Sequence, residues 1–182
     1  MKSYGIVLFL VLGISSYSTE TEQLVRNYLQ ASNNYNFEGA FQFLDSDYQE
    51  VFIDESVEIE NLNQLKDFMA WRKIMNSKSN LLSLKSSKDT VTTVEQTYHF
   101  MDSILERKPR TFKIKYVVKD DKILKSILDT MPGHSETARF NYAKFAKFQE
   151  FCNSEEIKLD MGMTASGALQ LKRALEQYKS RC

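Results

Sequence analysis

Alternation of apolar and polar residues is strongest between residues 91 and 128. In residues 91–100, one parity carries Val94, Tyr98 and Phe100. In residues 111–118, one parity carries Phe112, Ile114, Tyr116 and Val118. A period of two over this length predicts antiparallel strands with an apolar, aromatic inner face and a solvated outer face. A third strand at residues 123–128 should follow Asp120 and Asp121, whose side chains favour a tight turn.

Helical periodicity predicts helices on both sides of this sheet. Before it, helices are expected at residues 21–33, 37–44 and 62–75, with a turn at 45–47 and a short strand at 48–53. Asn36 is suited to cap the second helix. After Pro132 and Gly133, two further helices should begin near Ser135 and Thr164. Helices that flank an antiparallel sheet give an expected fold class of α+β.

The first residues have the pattern of an export signal. Lys2 supplies a positive start, residues 5–14 are apolar, and Ser16 and Ser18 place small side chains before a cleavage site. The apolar run is too short to cross a membrane, which takes roughly 20 residues. We therefore expect residues 1–18 to be a signal peptide, cut after Ser18, and the protein to be exported, periplasmic or secreted, without stable membrane insertion.

Charge and cysteine content limit the classes of partner, metal and cofactor that the chain is expected to bind. Lys plus Arg and Asp plus Glu number 24 each, so there is no basic excess for nucleic acid. Cys152 and Cys182 either pair, closing a loop of about thirty residues and contributing roughly 3–4 kcal/mol, or stay as one buried and one exposed thiol. Beside them stand only His99 and His134, which is too few for a zinc site. No metal is predicted, and without a Gly-rich phosphate loop no cofactor is either.

Three segments carry a resemblance to a known family. They are residues 28–47, residues 51–54 and the hairpin at residues 116–123. Together with the order of elements, they make residues 21–130 similar to the nuclear transport factor 2-like (NTF2-like) superfamily, especially its polyketide-cyclase (SnoaL-like) and ketosteroid-isomerase branches. The resemblance implies a cone in which a curved antiparallel sheet wraps three N-terminal helices around an apolar pocket. It also implies a domain at residues 19–131, a packed helical extension at 132–182 and dimers through the sheet.

The same resemblance implies a pair of catalytic residues. In the isomerases a tyrosine on the first helix donates to a forming oxyanion and a carboxylate after the first strand carries the proton. Tyr28 and Asp54 stand at those positions here, which is sensible chemistry because the hydrogen bond strengthens as charge develops. A second donor is missing, since its position falls near Ile114. The alternative is that Tyr28 is a helix-face aromatic and Asp54 a turn residue.

Further pocket candidates follow from the strand parity. Tyr98 and Tyr116 share the expected inner face and either orient a ligand or fill the core, while His99 should face away. Ile114, Trp71 and Gln96 are further expected pocket residues, with Glu55 beside them. Two functions stay open: non-catalytic binding of a small apolar ligand or a protein partner, and an isomerase or cyclase that uses Asp54 with Tyr28. A third possibility is a purely structural dimer whose core is filled and leaves no cavity of ligand size.

Overall fold

A computed structural model describes residues 20–181 of the chain; the predicted signal peptide and Cys182 lie outside the described residues. The helices are α1 Glu20–Asn33, α2 Phe37–Phe41, α3 Leu62–Ile74, α4 Phe100–Ile104, α5 His134–Ser154 and α6 Ala165–Arg181. The strands are β1 Leu44–Phe52, β2 Val57–Ile59, β3 Lys78–Ser87, β4 Thr90–Tyr98, β5 Arg110–Lys119 and β6 Lys122–Thr130. The α+β prediction is confirmed.

The strands form one curved six-stranded sheet in the order β2-β1-β6-β5-β4-β3. The pairs β3–β4, β4–β5 and β5–β6 are antiparallel, as predicted, and β1 joins the edge of β6 in parallel. A two-residue turn made by Asp120 and Asp121, both with positive φ, links β5 to β6. Such turns match the twist of the strands that they connect, which keeps the long hairpin in register.

The register places two inner-face rows side by side. Along β5 the inner residues are Arg110, Phe112, Ile114 and Tyr116, and their partners on β4 are Thr97, Glu95, Thr93 and Val91. Side chains two residues apart along a strand share a face and lie about 7 Å apart. Arg110 and Tyr116 therefore mark opposite ends of one concave surface.

The region around β1 differs from the predicted elements. The second helix ends at Phe41, and residues 45–47 lie within β1 rather than in a turn between elements. The turn chemistry is present locally, because Asp45 Oδ1 accepts a hydrogen bond from Asp47 N at 2.9 Å. It produces an irregularity in the register with β6 between Leu44 and Gln49, not a reversal of the chain.

Two hydrophobic clusters hold the molecule together. The first lies inside the cone, where Val25 of α1 and Leu65 and Met69 of α3 pack with inner-face residues of the sheet. The second joins the end of α3 to α4, α5 and α6 through Met75, Met101, Leu105, Phe148, Cys152, Ala168, Leu171, Ala174 and Leu175. The two C-terminal helices are thus packed on the mouth of the cone by buried apolar contacts.

Candidate functional site

A cavity of about 390 Å³ lies between the concave face of the sheet and the helices. Its apolar wall comes from α3 and the sheet, namely Phe52, Phe68, Trp71, Phe112, Ile114 and Leu128. The C-terminal segment also contributes, through Met161 and Met163 of the loop before α6 and Leu171 of α6 itself. The cavity is therefore bounded by both the cone and its C-terminal helices.

Glu95 is a buried acid on the inner face of β4. It is 3% exposed, and its Oε1 accepts hydrogen bonds from Thr93 Oγ1 at 2.6 Å and from the Tyr116 hydroxyl at 2.8 Å. Burial raises the pKa of Glu95, and the two hydrogen bonds and the nearby Arg72 guanidinium lower it again only in part. This carboxyl group consequently holds its proton to a higher pH than an exposed glutamate does.

A second acid, Glu50 of β1, also lines the cavity. The Tyr48 hydroxyl donates to Glu50 Oε1 at 2.8 Å and lies 3.1 Å from Ser126 Oγ on β6. Burial is the main cause that raises the pKa of Glu50, against the lowering effect of the Tyr48 hydrogen bond and of Arg72. Glu50 is therefore poised to take up or release a proton nearer to neutral pH.

Tyr28 and Tyr116 supply hydroxyl groups to the same part of the cavity. Their rings meet edge to face with centroids 6.1 Å apart. Burial raises the pKa of both phenols, so both stay protonated and able to donate. Arg72 of α3 also lines the cavity, and its Nη1 donates to Ser32 Oγ of α1 at 2.6 Å.

A cluster of charged groups forms around the start of α4. Asp102 is 1% exposed; its Oδ2 accepts from the His99 backbone N–H at 2.9 Å, and its Oδ1 lies 3.3 Å from Arg107 Nε. Arg110 Nη2 is 2.7 Å from His99 Nε2. His99 is buried, and burial together with Arg110 and Arg107 lowers the pKa of His99 to about 3. The imidazole is therefore neutral and accepts from Arg110.

Three of the expected pocket residues, Trp71, Ile114 and Tyr116, line this cavity, and so does Tyr28 of the expected catalytic pair. The expected positions of Gln96 and Tyr98 are wrong. The cavity-facing residues of β4 are the odd-numbered Glu95 and Thr97, so Gln96 faces the other side of the sheet and Tyr98, at the strand end, is 42% exposed. The prediction places the apolar residues of this strand on its inner face, whereas the inner face of β4 carries polar side chains that form hydrogen bonds with one another.

The expected location of Asp54 beside Tyr28 is also wrong. Asp54 lies in the exposed turn between β1 and β2, where its Oδ1 accepts from Ser56 Oγ at 2.6 Å and from Ser56 N at 3.1 Å. These bonds to Ser56 hold the pKa of Asp54 below its usual range. The carboxylate is thus an acceptor within its own turn, and Asp54 neither lines the cavity nor approaches Tyr28. The neighbouring Glu55 is exposed as well.

His99 corrects another expectation from parity. It lines the cavity rather than facing away, because β4 ends at Tyr98 and His99 begins the turn into α4. Its ring meets Trp71 edge-on, with centroids 5.5 Å apart.

Glu50, Glu95, Arg107 and Arg110 are cavity residues that strand parity alone did not single out. The alternation Thr93, Glu95, Thr97 was the available signal. Which face of β4 lines the cavity is decided by the cross-strand partners of these residues. Glu95 lies opposite Phe112, which is part of the cavity wall.

The predicted pairing of Cys152 with Cys182 involves a residue outside the described part of the chain. Cys152 itself is 2% exposed, between α5 and α6. Arg181 at the end of α6 bonds to Glu155 at the end of α5, with Nη1 and Oε1 2.5 Å apart. The last described residue is thus held near the segment that contains Cys152, and the disulfide stays a prediction.

Comparison with known proteins gives the fold its class. No protein-family profile and no curated protein matches the sequence. Among solved structures, an NTF2-like protein of unknown function from Burkholderia pseudomallei is 9% identical, with a TM-score of 0.52 over 68% of this chain and 98% of that one. A candidate polyketide cyclase from Sinorhizobium meliloti is 13% identical, with a TM-score of 0.50 over 62% of this chain and 100% of that one.

A third structure, TerC crystallised with polyporic acid, is 8% identical, with a TM-score of 0.52 over 68% of this chain and 99% of that one. An α+β cone with a mostly antiparallel sheet is the architecture that these proteins share. The chain has the NTF2-like fold, and the predicted resemblance is confirmed at that level. Across residues 20–181 no helix is long and apolar enough to cross a membrane, and no cluster of His, Cys, Asp and Glu is arranged to hold a metal ion.

Proposed function

We propose that this protein binds a small, largely apolar molecule inside the cone. The observation that carries the proposal is the cavity of about 390 Å³, lined by aromatic and aliphatic side chains with a few polar groups. Ligand sites in proteins have this make-up and run from about 300 to 1,000 Å³. The apolar wall supplies affinity by removing ligand surface from water, and the polar groups fix its orientation.

Two further facts support a ligand rather than a filled core. Polar side chains from two helices and all six strands, among them Glu50, Arg72 and Glu95, converge on one space. Burying such groups has a cost that a core without a ligand avoids by using apolar residues. TerC, a protein of similar fold, was crystallised with polyporic acid.

Titration with the neutral fluorescent probe N-phenyl-1-naphthylamine tests the proposal. Ile114 lies in the middle of the apolar wall, so Ile114→Trp should fill the cavity and abolish the rise in probe fluorescence. Lys115→Trp adds the same side chain on the exposed outer face of the same strand and should bind like the wild type. Equal binding to all three proteins, or to none, would reject the cavity as a ligand site.

A second candidate is a proton-transfer enzyme in which Glu50, not Asp54, moves the proton. The observation in its favour is that Glu50 lines the cavity with a raised pKa beside the tyrosine hydroxyls, which is how a general acid–base group is set up. The test is deuterium exchange at a C–H bond of the molecule recovered from the purified protein. Exchange that Glu50→Gln eliminates would support catalysis; absence of exchange with wild-type protein would leave binding alone.

A further inference from the structure

We propose that the ligand carries a carboxylate and that Arg110 binds it at the α4 end of the cavity. This inference rests on the proposed function and names the chemical class of the ligand. Its basis is the placement of an uncompensated guanidinium group on the cavity wall, next to an apolar surface of the right size for the body of such a molecule.

The charges around Arg110 do not balance. Asp102 is the acid of this cluster, and its Oδ1 is already 3.3 Å from Arg107 Nε. Between residues 20 and 181, no carboxylate lies within ion-pair distance of Arg110, and its Nε is buried without a hydrogen-bond partner. A partly buried cation in this state is unfavourable, and an anion that reaches it gains both charge neutralisation and a forked pair of hydrogen bonds.

His99 holds the Arg110 side chain without neutralising it. Arg110 Nη2 donates to His99 Nε2 at 2.7 Å. On the other side of the ring, His99 Nδ1 lies 3.4 Å from Asp102 Oδ2, and the ring packs edge to face with Trp71. The neutral imidazole occupies one of the five N–H bonds of Arg110. The guanidinium is therefore oriented but keeps donors for a planar anion, which arginine binds better than lysine does.

The register of the sheet shows where the rest of the ligand would lie. Phe112 and Ile114 follow Arg110 on the inner face of β5, and Leu128 lies across from Ile114 on β6. An alkyl or aryl body attached to the carboxylate would cover this apolar strip. The carboxyl group of Glu95, opposite Phe112, is turned toward Thr93 and Tyr116 and so away from Arg110. Glu50 is level with Tyr116 at the far end of the strip, so a carboxylate is repelled there and attracted to Arg110.

Arg72 is the competing anion site in the same cavity. Its charge already acts on both cavity glutamates, since it lowers the pKa of Glu50 and of Glu95 against the effect of burial. Arg72 also donates to Ser32 at 2.6 Å. A ligand carboxylate at Arg72 would meet two acids of its own sign. One at Arg110 would meet a single acid, Asp102, whose pKa is raised by burial and lowered in part by two guanidinium groups, Arg110 and Arg107.

Isothermal titration calorimetry with octanoate, octanamide and octylamine tests the inference, with quenching of the single tryptophan, Trp71, as a second readout. The wild type should bind octanoate at least tenfold more tightly than octanamide and should bind octylamine most weakly. Arg110→Gln should lose this preference while still binding N-phenyl-1-naphthylamine, which shows that the cavity is intact. Arg110→Lys should recover only part of it.

Two controls separate Arg110 from other charges. Lys115→Gln removes one positive charge from the same strand on the exposed outer face and should keep the preference. Arg72→Gln alters the cavity itself and tests the competing site; octanoate should still bind this variant more tightly than octanamide. Two results would overturn the carboxylate site at Arg110 but not the cavity. In the first, Arg72→Gln loses the preference for octanoate over octanamide while Arg110→Gln keeps it. In the second, the wild type binds acids and amides of six to ten carbons equally well. Failure of the neutral probe to bind the wild type would overturn the proposed function itself.

Discussion

Glu95 shows at the scale of one residue how this cavity is maintained. Its carboxyl group is 3% exposed and depends on Thr93 and Tyr116 for its hydrogen bonds. Because burial raises its pKa, the folded protein binds this proton more tightly than the unfolded chain does. The favourable contribution is complete below the unfolded pKa and is lost as the pH rises through the folded pKa, so at alkaline pH the ionised group opposes folding.

Glu95→Gln should therefore stabilise the protein at high pH. We expect its thermal midpoint at pH 8 to exceed that of the wild type by a few degrees, since about 1 kcal/mol corresponds to roughly 2–4 °C in a chain of this size. The difference should shrink or reverse at pH 4.5. Calorimetry at both values checks it, with the exposed Glu176→Gln as a control that should show no pH-dependent change. A variant less stable than the wild type at pH 8 would contradict this account.

Asp102 has the opposite role, because removing it leaves other groups unpaired. Asp102→Asn takes the anion from Arg107 and weakens the hydrogen bond that starts α4 at His99. Breaking a buried pair by removing one partner costs about 3 kcal/mol. Urea unfolding should show a loss of that order. Asp129→Asn, which removes the partly exposed partner of Lys113 on the outer face, should lose much less. Equal losses in the two variants would mean that the α4 cluster does not contribute as a buried pair.

At the scale of elements, the close contact between α6 and the loop before it shapes one wall of the cavity. A Cβ at Gly167 would lie 2.3 Å from the carbonyl oxygen of Gly162, which is backbone and cannot rotate away. The same loop supplies Met161 and Met163 to the cavity.

Gly167→Ala should push this loop off α6. We expect a loss of about 1–3 kcal/mol in unfolding free energy, as for other overpacked sites, together with weaker binding of the neutral probe. Gln170→Ala at an exposed position of the same helix should change neither. Unchanged stability and binding in Gly167→Ala would show that the loop adapts freely.

The ends of α5 and α6 carry the cysteine prediction. Since Arg181 bonds to Glu155, three residues beyond Cys152, a Cys152–Cys182 disulfide would close the two helices into a loop of about thirty residues. The intact mass of protein made in an oxidising compartment should be lower than that of the reduced chain by two hydrogen atoms. Neither cysteine should react with an alkylating agent until the protein is reduced. Alkylation at both positions without a reductant would refute the pairing.

The elements also show what the sequence could predict. On β5 the alternation of Phe112, Ile114 and Tyr116 with lysines was sufficient, because that inner face is apolar and the outer face is solvated. On β4 the same rule gave the wrong face, since Thr93 and Glu95 are buried by mutual hydrogen bonding with Tyr116 and not by hydrophobicity. Long-range partners of this kind are set by the register of the folded sheet and cannot be read from one strand.

The whole molecule combines a cone with two helices that extend its cavity. The NTF2-like fold was predictable because it follows from the order of elements, whereas the cavity depends on side chains brought together from α1, α3, β1, β4, β5 and the C-terminal segment. Export, with cleavage after Ser18, concerns residues outside the described part and stays a prediction. So does dimerisation through the sheet, whose outer face carries Lys113 and Lys115.

Native mass spectrometry of the exported protein, purified without denaturation, tests the central claim most directly. The account predicts a protein that carries one extra small mass, which is released on denaturation, ionises as an acid and is absent from Ile114→Trp but present in Lys115→Trp. The claim of a ligand-binding cavity would be contradicted if the wild type showed the mass of the polypeptide alone and no added probe bound to it. The outer surface of the cone would then be the remaining candidate for function.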